Sequence, residues 1–154
     1  LTSPDWTKHH EVVSVSNFIK PSTMKHHDLM LLSYLNVQSG HGFSVDKNLD
    51  GYNPTREAYA VGGASDSCEM VDNNLLSFNQ FRHIMELKIS FIKNRLSFPN
   101  DYQKVIGAWV NDDDYAYIEV SDIVFDREEA IALGKEREEE AIWDFKNNCE
   151  IKLT

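Results

Sequence analysis

Apolar residues along this chain recur with two different periods, and the alternation between them predicts the order of its elements. Short runs of period two mark half-buried strands, and longer runs with apolar residues every third or fourth position mark helices. Residues 42–45 and 58–61 read as two strands that pair as a hairpin across residues 46–55, a connection carrying Asn48, Asp50, Gly51, Asn53 and Pro54. Asp72 or Asn73 then caps a long helix with Phe78, Phe81, Met85, Ile89, Ile92 and Leu96 on one side; Lys88, Lys93 and Arg95 suit its C-terminal end, and Pro99 stops it. Residues 105–110 and 115–120 form a second strand pair around a polar turn, Asn111-Asp112-Asp113-Asp114.

A second helix starts at Asp126, with Glu128 in its first turn and Glu129 at the capping-box position. Gly134 within that helix costs about 1 kcal/mol of propensity, which implies close packing against another element. Residues 141–145 and 149–153 alternate as a third pair, turning at Lys146-Asn147-Asn148. Upstream, residues 12–16 read as a strand or extended arm before Pro21, and residues 28–37 as a short helix ended by the stretch Ser39-Gly40-His41-Gly42. The resulting fold class is α+β: an antiparallel sheet of about six strands, ordered ββ-α-ββ-α-ββ, with two helices packed on one face.

The 154 residues suit a single domain, 1–154, in which residues 1–41 are an N-terminal extension of looser pattern. With 42% hydrophobic residues a packed core is expected, and no apolar run approaches the ~18 to 20 residues of a membrane span. Cys68 and Cys149 lie far apart without a CxxC or Cys/His cluster; they neither suggest zinc nor require a disulfide. The chain begins with Leu1, which reads as a trimmed end, and its first residues lack the charged and apolar regions of a signal sequence, so the cytoplasm is the expected location.

Gly42-Phe43-Ser44-Val45, Pro54-Thr55 with Ala58-Tyr59-Ala60-Val61, Ile106-Gly107-Ala108-Trp109-Val110, Tyr117-Ile118-Glu119-Val120-Ser121, Asp126-Arg127-Glu128-Glu129-Ala130, and Gly134-Lys135-Glu136-Arg137 before Ala141-Ile142-Trp143-Asp144 occur in that order. In these pieces the chain resembles a group of small uncharacterised proteins of bacteriophages and other mobile elements. The resemblance covers roughly residues 42–153 and implies a genomic context; it brings no catalytic or ligand-binding residue with it. The chain departs from the pattern at Arg56-Glu57 and at Glu138-Glu139-Glu140.

Charge is distributed unevenly. Residues 1–50 carry a net −1, residues 51–100 are neutral, and residues 101–154 carry −9. A carboxylate-dense surface repels nucleic acid and bare anionic membrane and attracts basic protein grooves. No stripe of basic and aromatic residues appears, so direct nucleic-acid binding is not expected. The carboxylates gather at Asp112, Asp113 and Asp114 and at Glu136, Glu138, Glu139 and Glu140. At a helix C-terminus carboxylates oppose the dipole, so helix chemistry does not explain the second group.

Residues 46–57 match the calcium-loop pattern: Asp46, Asn48 and Asp50 supply oxygens at positions 1, 3 and 5, Gly51 permits the bend, Tyr52 lends its carbonyl and Glu57 closes the sphere. The flanks read as strands rather than EF-hand helices, and a turn-rich hairpin connection produces the same residues. The Lys-His-His pairs at His9, His10 and at His26, His27, with His41 and His83, have no zinc spacing and read as solvated or partly buried, His83 as solvated. No nucleophile elbow is present; Cys68 lies beside Glu69 and near Asp66, which raises a thiol pKa. Gly62-Gly63-Ala64-Ser65 lacks the lysine of a phosphate loop and reads as a strand-ending turn.

The expectation is therefore a non-enzymatic, soluble, acidic accessory protein of phage type. It binds a protein partner with a basic surface, such as a nucleic-acid-handling enzyme whose groove it meets as a DNA mimic does, and it needs no cofactor. The alternatives are a calcium-binding module using residues 46–57 and an enzyme whose pocket is assembled from scattered residues.

Overall fold

A computed structural model describes residues 25–64, 68–94 and 102–154. Seven strands, β1 (Phe43–Val45), β2 (Tyr59–Val61), β3 (Glu69–Asp72), β4 (Gln103–Val110), β5 (Tyr115–Val124), β6 (Ala141–Asp144) and β7 (Cys149–Lys152), form one sheet. Three helices accompany it: α1 (His26–Gln38), α2 (Phe78–Lys93) and α3 (Arg127–Glu136). The strands run in the order β1-β4-β5-β2-β6-β7 with every pairing antiparallel, so the fold is α+β as its periods predict. Residues 12–16, Leu96, Pro99 and Arg95 lie outside the described residues.

β5 organises the sheet because, at ten residues, it is longer than its neighbours on one side. β4 follows one edge of it from Gln103↔Ile123 to Val110↔Ala116. The other edge is shared: β3 pairs with residues 115–118 and β2 with residues 122–124. Among the described residues between them, the Ala64 N–H reaches β5, donating to the Val120 carbonyl at 3.3 Å.

The expected β1–β2 hairpin does not form. β1 pairs with β4, and β2 lies between β5 and β6. Two local facts explain this. Residues 46–51 close their own turn, through a bridge between Val45 and Gly51, before the chain can fold back on β1. And all three residues of β2 are buried, as a strand flanked on both edges requires and a hairpin edge does not. β3 is an additional strand, with acidic residues at both ends and little β-propensity; β5 extends past β2 and supplies it with a partner.

Directly paired residues share a face of an antiparallel sheet, so the register sorts the core. On one face Ile106, Ala108, Val110, Ala116, Ile118 and Val120 pack against Leu29 and Met30 of α1 and Phe81, Met85 and Ile89 of α2. Farther along the same face, Tyr59, Val61, Val124 and Ile142 meet Ala130 of α3. The opposite face carries Ala60, Val105, Trp109, Tyr117, Ile123, Trp143 and Phe145, with Trp109 and Tyr117 stacked at 5.6 Å between ring centroids.

Capping follows local chemistry. Asp126 accepts the Glu129 N–H at 2.9 Å and starts α3 as its sequence predicts. α2 begins later than Asp72 or Asn73, at Ser77, whose hydroxyl accepts the Gln80 N–H at 3.1 Å. Asp72 instead takes the Asn74 N–H, and the Asn73 side chain donates to the Val37 carbonyl, so both residues build the turn before the helix. At Gly134 an added Cβ would lie 2.5 Å from Leu153 Cδ1 and 2.9 Å from Ile142 Cγ2, the close approach that its presence in a helix implies.

Asp122 is fully buried on the helix-bearing face, between the two apolar clusters. Its Oδ1 pairs with Lys104 Nζ on β4 and its Oδ2 with Arg137 Nη2 at 2.6 Å. Arg137 also donates to the Gly62 carbonyl at 3.0 Å, so one carboxylate joins β4, β5, the end of β2 and the end of α3. Removing it strands two cations in the interior. Asp122→Ala is expected to lose about 3–5 kcal/mol in urea unfolding, and a loss below about 1 kcal/mol, the scale of an exposed pair, would show that the group is not structural.

Candidate functional site

The stretch of β5 that neither β2 nor β3 covers carries a buried carboxyl. Glu119 is 7% exposed and lies on the face opposite the helices. Across β4 its partner is Gly107, and beyond that Ser44 of β1, so small residues leave space along this row. On its other side the Glu119 carboxyl accepts the backbone N–H of Gly63 and meets the Cys68 thiol. Glu139, which precedes β6, comes in from the same side: a methyl group on Gly62 would collide with carboxylate oxygens of both Glu119 and Glu139. Gly63, at φ +79°, takes the left-handed conformation that turns the chain out of β2. The Gly-Gly pair thus ends a strand and makes room for two carboxyls.

Electrostatics follow from this crowding. Loss of water around Glu119 pushes its carboxyl up to about 8, Glu139 pushes it further, and the Gly63 N–H, Lys88 and Cys68 offset part of the rise. Glu139 is itself raised, first by burial and then by Glu140, against the opposing pull of Arg137. Cys68 presents surface to solvent while its sulfur lies against Glu119; desolvation first and that carboxyl second push the thiol up to about 12. Its expected blunting is therefore present, with Glu119 a larger source than neighbouring Glu69. Lys88 reaches Glu69 at 3.8 Å.

The acidic residues marked in the sequence separate into different environments. Asp112 and Asp113 are exposed in the β4–β5 turn, whereas Asp114, at φ 63°, accepts a bond of 3.1 Å from the Asn73 side chain and ties that turn to the start of α2. Glu136 is exposed in the last turn of α3; Glu138, at φ 58°, and Glu140 are exposed in the connection to β6, with Glu139 half-buried between them. Burial first and Cys68 second raise the Tyr117 hydroxyl, the 3.4 Å bond from the Asn111 side chain opposes them, and Asp113 and Glu140, one from each acidic group, add smaller rises. Glu119 was not singled out by sequence pattern, although a lone carboxylate within the alternating run 115–120 and a Gly-Gly pair were its available signals.

Residues 46–57 begin with a turn, 46–51, held by backbone bonds between Asp46 and both Leu49 and Asp50 and by the Asp46 side chain. The Asp46 carboxylate accepts the N–H groups of Asn48 at 2.8 Å and Asp50 at 3.1 Å, and Leu49 is fully buried at φ 66°. Asp50 is raised by burial and by Asp46. Glu57 accepts the Tyr59 hydroxyl at 2.7 Å, and Tyr52 packs edge-on against Phe145. β1 leads into this turn and β2 leads out, in place of EF-hand helices. Among the described residues no group of three or more His, Cys, Asp or Glu side chains is arranged to hold a metal. His26, His27 and His83 are exposed, His41 is half-buried, and His9 and His10 lie outside the described residues. Cys68 and Cys149 are free thiols.

A cleft of about 410 Å³ opens elsewhere, between the residues before β2 and the start of α3. Its polar groups face one another: the Tyr102 hydroxyl bonds Glu129, Arg56 lies 4.0 Å over the Phe125 ring, and Asp126 caps α3. No described helix is long and apolar enough to cross a membrane. Comparison with protein-family models, curated proteins and solved structures finds no match.

The folded protein holds a proton on Glu119 that the unfolded chain, at the ordinary value of 4.5, releases. Stability therefore falls as pH rises from about 4.5 towards 8, by at most about 1.4 kcal/mol per unit, and levels off above. Glu119→Gln should flatten that slope in urea titrations at successive pH values; an unchanged slope would show the carboxyl to be ionised at neutral pH. Asp46→Ala removes two turn bonds and should cost about 1–2 kcal/mol by thermal unfolding, with no loss if the turn is held by its backbone bonds alone.

Proposed function

We propose that this chain is a non-enzymatic accessory protein that binds a protein partner through carboxylates on the β4–β5 turn and the α3–β6 connection. One arrangement carries the reading: the α3–β6 connection reaches β5 at Glu119 through Glu139, beside Gly62, and the β4–β5 turn opens the same strand after Asp114, so that Asp113 and Glu140 both contribute, after burial and Cys68, to the rise of the Tyr117 hydroxyl. Charges from two acidic segments therefore add in one region, where each strengthens the potential felt by an approaching cation. Asp112 and Glu138, both exposed, extend it. The partner this chemistry fits has a basic surface, and contact is steered by charge and weakened by salt.

The resemblance to small phage and mobile-element proteins supports a partner among nucleic-acid-handling enzymes, whose grooves are built for phosphates spaced along a duplex. In that reading the carboxylates stand in for phosphates, and the protein acts in the cytoplasm of a host cell.

The test separates a located surface from net charge. One variant carries Asp113→Lys, Glu138→Lys and Glu140→Lys; a control carries Asp28→Lys, Glu86→Lys and Glu128→Lys, three exposed carboxylates on the three helices. Binding of a scrambled lysine-rich peptide is read by fluorescence anisotropy at low and high salt. The first variant should weaken binding at least about tenfold, or 1.4 kcal/mol, and the control much less. Equal losses would reduce the effect to overall charge and end the proposal.

A further inference from the structure

Among the described residues the sheet has an open lane beside that acidic region. β5 is flanked on one side by β2 and β3 end to end, and β6 covers only the outer edge of β2, through Tyr59↔Asp144 and Ala60↔Trp143. Continuing that register sets Ala141 level with Gly62, where β6 begins; the Glu138 and Glu139 N–H groups bond the Lys135 and Gly134 carbonyls at the end of α3, so the chain reaches β6 from the helix and does not extend along β3. Among the described residues β3 pairs with β5 alone. Its hydrogen-bonding parity is fixed by the Asn73 N–H, which donates to the Asp114 carbonyl at 2.9 Å. By alternation Val71 and Glu69 bond β5, and the N–H and C=O of Met70 and the N–H of Asp72 point into the lane, while the Asp72 carbonyl accepts the Leu75 N–H at 3.0 Å in the turn that follows.

We propose that this edge takes up an extended, basic segment of the partner as an added antiparallel strand, an inference that rests on the acidic surface being the partner's site. Main-chain bonds to Met70 and Asp72 would supply affinity, and charge would select the occupant. Charge favours a basic one. Asp72 belongs to β3 itself and shares a face with Met70, Asp113 is exposed in the turn beside the end of β3, and the Glu139 carboxylate lies beside Gly62 where β2 ends, whereas Glu69 is already met by Lys88. A segment antiparallel to β3 runs in the direction of β6, so its C-terminal end approaches Glu139. Met70, 46% exposed midway along the edge, offers an apolar contact to the aliphatic stem of a lysine or a valine.

A labelled peptide of alternating lysine and valine tests this against the intact chain, beside the same peptide N-methylated at alternate residues, which keeps its charge and loses its outward hydrogen bonds. The unmethylated peptide should bind at low salt at least about tenfold more tightly, and should slow amide exchange of Met70 and Asp72. Met70→Pro, whose lost N–H faces the lane and not β5, should weaken binding equally while unfolding as the parent does. If that variant does not fold, the methylated pair and the two amides decide the matter on the unaltered protein. Equal binding of both peptides, or no binding of either, overturns the edge. The scrambled peptide judges the acidic surface separately, so each can fail alone.

Discussion

A single buried charge sets the arrangement of this sheet. Asp122 stands where the cluster under α1 and α2 gives way to the cluster under α3, and a carboxylate there is tolerable only with cations on both oxygens. Lys104 supplies one from the adjacent strand. Arg137 supplies the other from the residue that ends α3, and its remaining donors hold the Val61 and Gly62 carbonyls at 3.4 and 3.0 Å. Hydrophobic burial alone leaves register loosely specified, because many alternating strands present similar faces. A carboxylate that must meet both partners admits one register of β4 on β5 and one position for the end of α3.

Glu119 and Asp122 share a strand, three positions apart, and show opposite solutions to burying an acid. Three positions along a strand reverse the face, so Asp122 points to the helices and Glu119 away from them. On the helix face two cations compensate the charge. On the other, Glu139 is a competitor rather than a partner, and a proton held near neutral pH resolves the conflict. Arg137 influences both: it pairs with Asp122 and lowers Glu139, so the ion pair that orders one face moderates the crowding on the other.

What the sequence disclosed was whatever depends on neighbours along the chain. The α3 start at Asp126, the close approach at Gly134, the β4–β5 pair and the β6–β7 pair follow from caps, period and turn residues within a few positions. The partners of β1 and β2 were illegible, because insertion of β2 between β5 and β6 is decided by segments more than fifty residues later. β3 was hidden for the same reason. Of the acidic residues, composition gave their abundance but not their fates: Asp114 became a structural acceptor, Glu139 turned inward, and Asp113 and Glu140 stayed exposed on separate segments. The calcium-like residues 46–57 show how one set of letters serves a second purpose, since Asp46 bonding of backbone N–H groups and positive φ at Leu49 call for turn formers as metal coordination does.

The length of β5 links these observations. A ten-residue strand beside a three-residue β2 leaves backbone that must be paired or solvated. β3 pairs part of it, and the Gly62–Ala64 turn crosses the remainder, where only glycine leaves room for the Glu119 and Glu139 carboxyls. But a strand added beside β5 without an extension of β6 creates a new edge one lane farther out. The chain carries acidic residues along that edge, and carboxylates there resist pairing with another copy of the same acidic surface. In the proposed strand addition, the charge that opposes self-association is the same charge that selects a segment of opposite sign.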